Sequence, residues 1–455
     1  MKLKTTIKTM CLAACSGMLA ISTANAQDNA DFKPSGNLWG YMFGDYAVKA
    51  HNDTLGRGAG NVQYKTPQAL NSGNTASAAN PAPANSVSSA FQIRRVYLGY
   101  DYQFMPNFSA NVVLAHEETG TGAGNQDLGG SNTMYLKYAN VKWSNIFKNS
   151  DLVIGQYSTA SFATPYGTEP LWGYRSIERT IMDLHNNDAS SDMGVSLQGK
   201  AWVQGGQPDS LKPTFIGYIA QIGNGNSAKF ETDNFKKMRL NLYVSTLQRK
   251  LTIGIYGDYN NNKLLPNYHV NTMTMKFYAA YTTDRFRVGA EVFTQTTAKG
   301  DIYSVYDPST KTMSKNDTAT GMQMGWSVFA SASIIKEKLN IFARYDMYNP
   351  NTKWNTNNVY ASTATASGLT ATTQATAFYN QSFFTAGLDW TPNKRMHIMP
   401  NIWYNGYSTM MNTVGPDGTG NNLSARVKND YDVAYRLSFY FLFNQNKKVS
   451  NNGMY

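Results

Sequence analysis

Residues able to act as nucleophiles, metal ligands or acid–base pairs are dispersed in this 455-residue chain. The five histidines, His51, His116, His185, His269 and His397, stand singly, with no HxxxH pair or other metal-ligand spacing. His185 lies near Asp183 and Asp188 and could be imagined as an acid–base centre, although salt bridges are a plainer use for such charges. No GxSxG nucleophile turn occurs. Gly120–Gly130 is glycine-rich, but it leads into a strand pattern and not a helix, so it cannot cradle a phosphate. Both cysteines, Cys11 and Cys15, fall in the N-terminal leader, which removes thiolate chemistry from the remainder. The expectation is no enzyme, no cofactor and no metal. The densest mixture of charged and apolar residues is in 159–191: Thr164-Pro165-Tyr166-Gly167-Thr168-Glu169, then Trp172, Arg175, Glu178, Arg179, Ile181, Met182, Asp183 and His185. Such a mixture suits a segment packed against an inner wall, with Glu169, Arg175, Glu178, Arg179 and Asp183 lining a constriction. The competing reading is a surface loop whose salt bridges fix its own shape.

What positions this segment is a series of strands. Tyr431, Val433, Tyr435, Leu437, Phe439, Phe441 and Phe443 occupy alternate positions, as a strand with one apolar face requires. The same period marks sixteen segments: 37–48, 91–104, 108–118, 133–144, 151–158, 192–203, 213–223, 236–247, 251–260, 270–283, 286–297, 322–334, 339–348, 381–391, 395–405 and 429–443. Short connections (105–107, 145–150, 204–212, 248–250, 284–285, 335–338, 392–394) alternate with long ones (49–90, 119–132, 159–191, 224–235, 261–269, 298–321, 349–380, 406–428). Sorting of loop length by parity is the mark of an all-β, 16-stranded antiparallel transmembrane β-barrel, with short periplasmic turns and long extracellular loops. Tyr100, Tyr102, Phe104, Tyr281, Phe286, Trp390, Phe441 and Phe443 share the apolar face near the short turns, where an aromatic girdle belongs. No run of 18 apolar residues follows Ala26, so helical spans are not expected.

The ends set the compartment. Lys2, Lys4 and Lys8, an apolar run from Met10 to Ile21 and Ala24-Asn25-Ala26 make 1–26 a cleavable signal peptide. A lipoprotein-like Leu12-Ala13-Ala14-Cys15 competes with it, but would leave only six residues after Lys8. Residues 27–36 are expected as a short periplasmic segment, 37–443 as the barrel and 444–455 as a periplasmic tail, in the bacterial outer membrane. Loss of three lysines with the leader would lower the net charge from +11 to +8. No cluster of five basic residues exists, so nucleic acid is not an expected partner. Charged residues make up 15% and aromatics 13% of the chain, against about 25% charged in soluble domains, which separates it from both disordered and ordinary cytosolic chains.

Parity turns Arg95, Arg239, Lys276, Arg287, Arg344 and Arg436 inward, and equally Asp101, Asp258, Glu291, Asp346, Asp389 and Asp432. Six bases against six acids form no basic ladder of the kind an anion filter needs. A charge-balanced wet wall is the expectation, around an aqueous lumen of the width sixteen strands enclose.

Gly155-Gln156-Tyr157, Pro165-Tyr166-Gly167 and Ser176-Ile177-Glu178-Arg179 with Asp183 resemble the porin O and P family, often called phosphate-selective porins. Ile93-Arg94-Arg95-Val96 running into Gly99-Tyr100, Gln221-Ile222-Gly223-Asn224-Gly225 and Phe342-Ala343-Arg344-Tyr345-Asp346 are similar to it too. The resemblance implies a sixteen-stranded, usually trimeric barrel whose third extracellular loop enters the channel. It departs from that pattern in having no coiled-coil segment before the first strand and a short polar tail after the last. The functional expectation is a passive diffusion channel in contact with outer-membrane lipids, passing small hydrophilic solutes or anions with at most a modest anion preference. A barrel acting as an enzyme, adhesin or assembly partner competes with it, and a secreted soluble β-protein more distantly.

Overall fold

The structure, a computed structural model, describes residues 32–51, 53, 89–117, 134–203, 214–231, 233–265, 268–307, 312–313, 317–354, 358–361, 363–365, 368–370, 379–409 and 429–443. The proposed leader 1–26, residues 27–31 and the tail 444–455 lie outside them.

Sixteen long strands follow one another: β1 (Ser35–His51), β2 (Ser89–Met105), β3 (Phe108–Glu117), β4 (Tyr135–Phe147), β5 (Ser150–Ser158), β6 (Ser191–Trp202), β7 (Phe215–Gly223) and β8 (Lys237–Thr246). They continue as β9 (Leu251–Leu265), β10 (Tyr268–Thr282), β11 (Phe286–Asp307), β12 (Asp317–Ile335), β13 (Leu339–Asn349), β14 (Tyr379–Asn393), β15 (Met396–Thr409) and β16 (Asp430–Phe443). Each pairs antiparallel with the next in sequence, and β1 closes on β16 with Gly40 opposite Phe443 and Tyr46 opposite Leu437. The result is a closed sixteen-stranded antiparallel β-barrel with no free edge.

Alternation places the two faces in unlike surroundings. Along β8, Met238, Leu240 and Leu242 point out and are exposed, whereas Lys237, Arg239 and Asn241 point in and are at most 5% exposed. The exposed apolar face recurs around the barrel, from Leu98 and Tyr100 on β2 to Leu437 and Phe441 on β16. A band of that extent suits hydrocarbon and not water. Even the shortest strands, β5 and β7 with nine residues each, meet the roughly nine to eleven that a tilted crossing needs.

Two outer connections differ from expectation. The 261–269 connection is mostly strand, since β9 runs to Leu265 and β10 resumes at Tyr268. The 298–321 connection is largely a continuation of the β11–β12 hairpin, with Ile302 paired to Thr318, and Asn358–Ala361 adds to its side. Beyond the bilayer the outward face need not be apolar, so the hydrophobic period fades while β-branched and aromatic residues such as Ile302, Tyr303 and Val305 still favour strand.

Candidate functional site: a loop packed inside the barrel

The connection from β5 to β6 does not leave the barrel. It turns inward at Thr159, whose backbone N–H donates to Ser190 O (3.2 Å), and crosses the interior. Gln221 on β7 fixes the root: its amide donates to Ser158 O (2.9 Å), and its oxygen accepts from the Ala160 N–H (2.9 Å). Two short helices follow, α1 (Thr168–Trp172) and α2 (Ile181–Leu184). Gly173, at φ 75°, takes the left-handed position that stops α1 and returns its N–H to Glu169 O, a geometry in which a side chain would be strained.

Apolar residues of the loop meet the wall in several directions. Trp172 and Ile177 join Phe43, Tyr97, Phe329, Phe342 and Tyr440. Phe162, Ile181 and Met182 pack on Phe215, Tyr243, Tyr256 and Phe293, and Leu184 on Phe383 and Trp403. All six loop side chains named are at most 1% exposed.

Wall cations then hold the loop by its backbone. Arg94 donates to Ile177 O (2.8 Å) and Ser176 O (3.2 Å), Arg344 to Arg179 O (2.5 Å), Arg436 to Ile177 O (3.4 Å) and Arg287 to Pro170 O (3.2 Å). Lys276 donates to Ser161 O and to Thr168 Oγ1 (3.2 Å). Near the loop's end, the Asp188 carboxylate accepts from Lys237 (2.8 Å), from Arg239 (2.8 and 2.9 Å) and from the Tyr256 hydroxyl (3.1 Å). Burial opposes that charge, but Arg239 and Lys237 outweigh it and hold the carboxyl well below the usual range. Burial, aided by Arg179 and Arg344, pushes the His185 imidazole down to about 3, so the ring stacked on Tyr348 stays neutral.

The five charged loop residues gather on one side. Arg175 is 3.7 Å from Glu169 and 3.8 Å from Asp183; Arg179 is 3.9 Å from Asp183 and 4.0 Å from Glu178. Burial raises the Glu169 carboxyl above its ordinary value despite Arg95 and Arg175. Across from them on the wall, Glu117 is held by Arg95 (2.6 Å) and Lys137 (2.9 Å) and by the hydroxyls of Tyr97 and Tyr135.

The wall residues singled out from sequence all face inward. Arg95, Arg239, Lys276, Arg287, Glu291, Arg344 and Asp346 are buried at 2–7%, Arg436 at 5%, and Asp101 is half-buried near the short turns, bonded to Asn111 (2.6 Å). The expectation of a wet wall is corrected here. At mid-height these charges are dry and engaged: Arg344 with Asp346 (2.5 Å), Lys276 with Glu291 (3.5 Å), Arg436 with Asp45. The loop packed against them leaves these wall charges at most 7% exposed.

Strict alternation missed two inward bases. Opposite β1 the register slips between Phe43 and Gly44, leaving Arg94 as a bulge, so that Arg94 and Arg95 both point in. Opposite β3 it slips between Val113 and Leu114, and Lys137 joins Tyr138 on the inner side. A bulge re-aims a side chain at the cost of ladder bonds. Gln156 repairs the second, its amide donating to Leu136 O (3.0 Å) and Lys137 O (2.9 Å). Gly155 beside it, at φ 118°, approaches so closely that a Cβ would lie 2.4 Å from Ala139 O. Alternation does not single out Asp45, Glu117, Asp192 or Lys237 either, and Asp188 enters the sequence reading only as a neighbour of His185.

Fold and interior together define a porin-type barrel: closed, sixteen-stranded, with an occupied lumen. Among solved structures, the chain is similar to the outer membrane channel DcaP of Acinetobacter baumannii (TM-score 0.53, 10% identity, covering 90% of this chain and 97% of that one). It also aligns with an anion-selective porin from Comamonas acidovorans (TM-score 0.48, 10% identity, 90% and 100% covered). At such identities the likeness concerns the fold alone. No family model and no curated protein sequence matches the chain.

Proposed function

We propose that the protein is a bacterial outer-membrane porin, a passive diffusion channel for small hydrophilic solutes and ions, narrowed at mid-height by the loop 159–190. The observation that carries this reading is a closed barrel of sixteen strands, too wide for wall side chains alone to fill, in which, among the described residues, the occupant is a single loop. Glu169, Arg175, Glu178, Arg179 and Asp183 form the constriction, and the inward wall charges keep the loop in place. Residues 1–26 serve as a cleaved signal, 27–36 and 444–455 face the periplasm, and the assembly is a homotrimer in the manner of the porin O and P proteins it resembles. No cofactor or catalytic step enters. A modest anion preference was expected from net charge, but near the narrowest section the ion preference follows the charges that water reaches there.

Reconstitution in planar bilayers tests this. The purified protein should give stepwise, stable conductance, and deletion of residues 168–182 should enlarge each step. Insertion without conductance, in a protein that migrates as a folded barrel, would remove the channel assignment.

A further inference from the structure

The loop packs unevenly around the circumference. On β8 the inward residues Lys237, Arg239, Asn241, Tyr243 and Ser245 are 0–5% exposed from one end to the other. On β10, Thr274, Lys276, Tyr278 and Ala280 are sealed to the same degree. On β16, Asp432, Arg436, Ser438 and Tyr440 are no more open. A different state holds along β4 and at the short-turn ends of β2 and β3, although Tyr97 on β2 and Val113 and Ala115 on β3 are sealed at 0–4%. Asp101, Asn111, Tyr138 and Asn140 are only partly buried, and the Lys142 side chain is 41% exposed. β4 also contributes no fully buried residue to the three apolar clusters; its Tyr135 and Tyr138 touch the first of them only from the edge.

The level of the loop shows the same bias. The bases there are shut away, with side chains 2–7% exposed for Arg95, Lys137, Arg175 and Arg179. Glu117 on β3 (14%) and Asp183 on the loop (13%) are the charges that reach water more than these do. Tyr138 lies within electrostatic range of both. Partly exposed inward positions therefore run up β4, from Lys142 and Asn140 to Tyr138 and Tyr135.

We infer that solutes cross this barrel off its axis, along the β4 wall, and that Glu117 and Asp183 are the charged groups they meet at the narrowest level. The inference rests on the channel reading above and assigns its route. Physically it follows from where the loop's apolar residues went. Phe162, Ile181, Met182 and Leu184 bury themselves against strands from β7 to β16, Trp172 and Ile177 close over β2 and β3 in the cluster that holds Tyr97, Val113 and Ala115, and only β4, with Tyr135 and Tyr138 at the cluster's edge, is left uncovered.

Single cysteines test the route, because the only native ones are Cys11 and Cys15 in the proposed leader. Asn111→Cys and Asn140→Cys would be compared with Ser245→Cys on β8 and Ser327→Cys on β12, both 1% exposed. Each folded protein is treated with a cationic methanethiosulfonate, read by mass shift, and recorded in bilayers before and after treatment. Labelling of the two asparagine positions with loss of conductance, and no labelling of the two serine positions, is expected. Equal labelling of Ser245→Cys or Ser327→Cys, or protection of Asn111→Cys and Asn140→Cys, overturns the route while conductance in the untreated protein keeps the channel reading. Labelling without conductance in any variant overturns the channel reading and the route with it.

Discussion

Replacing Asp188 with asparagine keeps the side-chain shape but removes the anion that ties the end of the inner loop to β8 and β9. Its carboxylate is 3% exposed and accepts from Lys237, Arg239 and Tyr256. Breaking a buried ion pair by removing one partner costs about 3–5 kcal/mol, because the other charge is left buried. The lower end applies, since Arg239 keeps Asp192 at 2.7 Å and Lys237 keeps Asp258 at 3.4 Å. At 1.4 kcal/mol per tenfold, a loss of about 3 kcal/mol raises the population of the detached loop end roughly a hundredfold. Single-channel recording of Asp188→Asn should show a higher-conductance substate occupied about that much more often, on an unchanged barrel. The sign with pH follows from the depressed carboxyl. Its contribution is complete above the ordinary value of about 3.9 and is lost only as pH falls through the lower folded value, so acidification to about pH 4 should not imitate the mutation. A folded variant whose substate occupancy changes less than about tenfold would refute the anchoring role, since that bounds the loss near 1.4 kcal/mol.

Arg94→Ala and Arg344→Ala together remove donors to the carbonyls of Ser176, Ile177 and Arg179, each hydrogen bond to a charged group being worth about 1.5–3 kcal/mol. Conductance should rise, and an unchanged value in a folded barrel would show that the remaining anchors, Lys276, Arg287, Arg436 and the Asp188 cluster, hold the loop without them. Glu117→Gln leaves Arg95 and Lys137 without their shared carboxylate, so reversal potentials in a salt gradient should move towards anions; no shift would take Glu117 out of the passage. Trp172→Ala opens a cavity among Phe329, Phe342 and Tyr174 and should cost about 3–5 kcal/mol, read as a lower temperature for loss of folded-barrel migration on gels. His185 stays neutral in the fold to about pH 3, so its contribution is complete above the free value of about 6.5 and declines as pH falls below it. Its ring signals in NMR should stay flat from pH 8 to 5, and an ordinary titration would sink the burial argument.

The barrel was legible because each of its strands repeats a signal that hydrocarbon enforces, and because loop lengths alternate with parity. Strand ends were legible only where an apolar face ended, which is why β11 and β12 outran their expected limits at 297 and 322 by several residues. The loop was marked by its own composition: Trp172, Ile181 and Met182 are poorly suited to a surface loop, and each is buried. What alternation could not deliver was Arg94 and Lys137, since a bulge inverts parity for the residues beyond it and leaves no hydrophobic trace. The short motifs held the missing information in another form. Gln156 and Gln221 look like unremarkable polar residues until the orphaned carbonyls of Leu136, Lys137 and Ser158 are seen to need donors.

In the sequence, equal numbers of inward acids and bases suit a wet wall, where charges need no partners. The same equality is required for the opposite reason in a wall that its own loop has dried. A buried unpaired charge is strongly unfavourable, so each base must bring an acid. Arg344 and Asp346 lie two residues apart on one face of β13, and Lys276 and Glu291 sit nearly opposite on β10 and β11, where the pairing costs little chain entropy. Arg94 and Arg436 instead share Asp45 and spend their remaining donors on loop carbonyls. With Glu178 also 3.8 Å from Arg94, two acids face these two arginines, which act as structural struts. The family resemblance to phosphate-selective porins therefore sets an expectation that these particular arginines are poorly placed to meet: on the route inferred along β4, the charges open to an anion are those of Glu117 and Asp183.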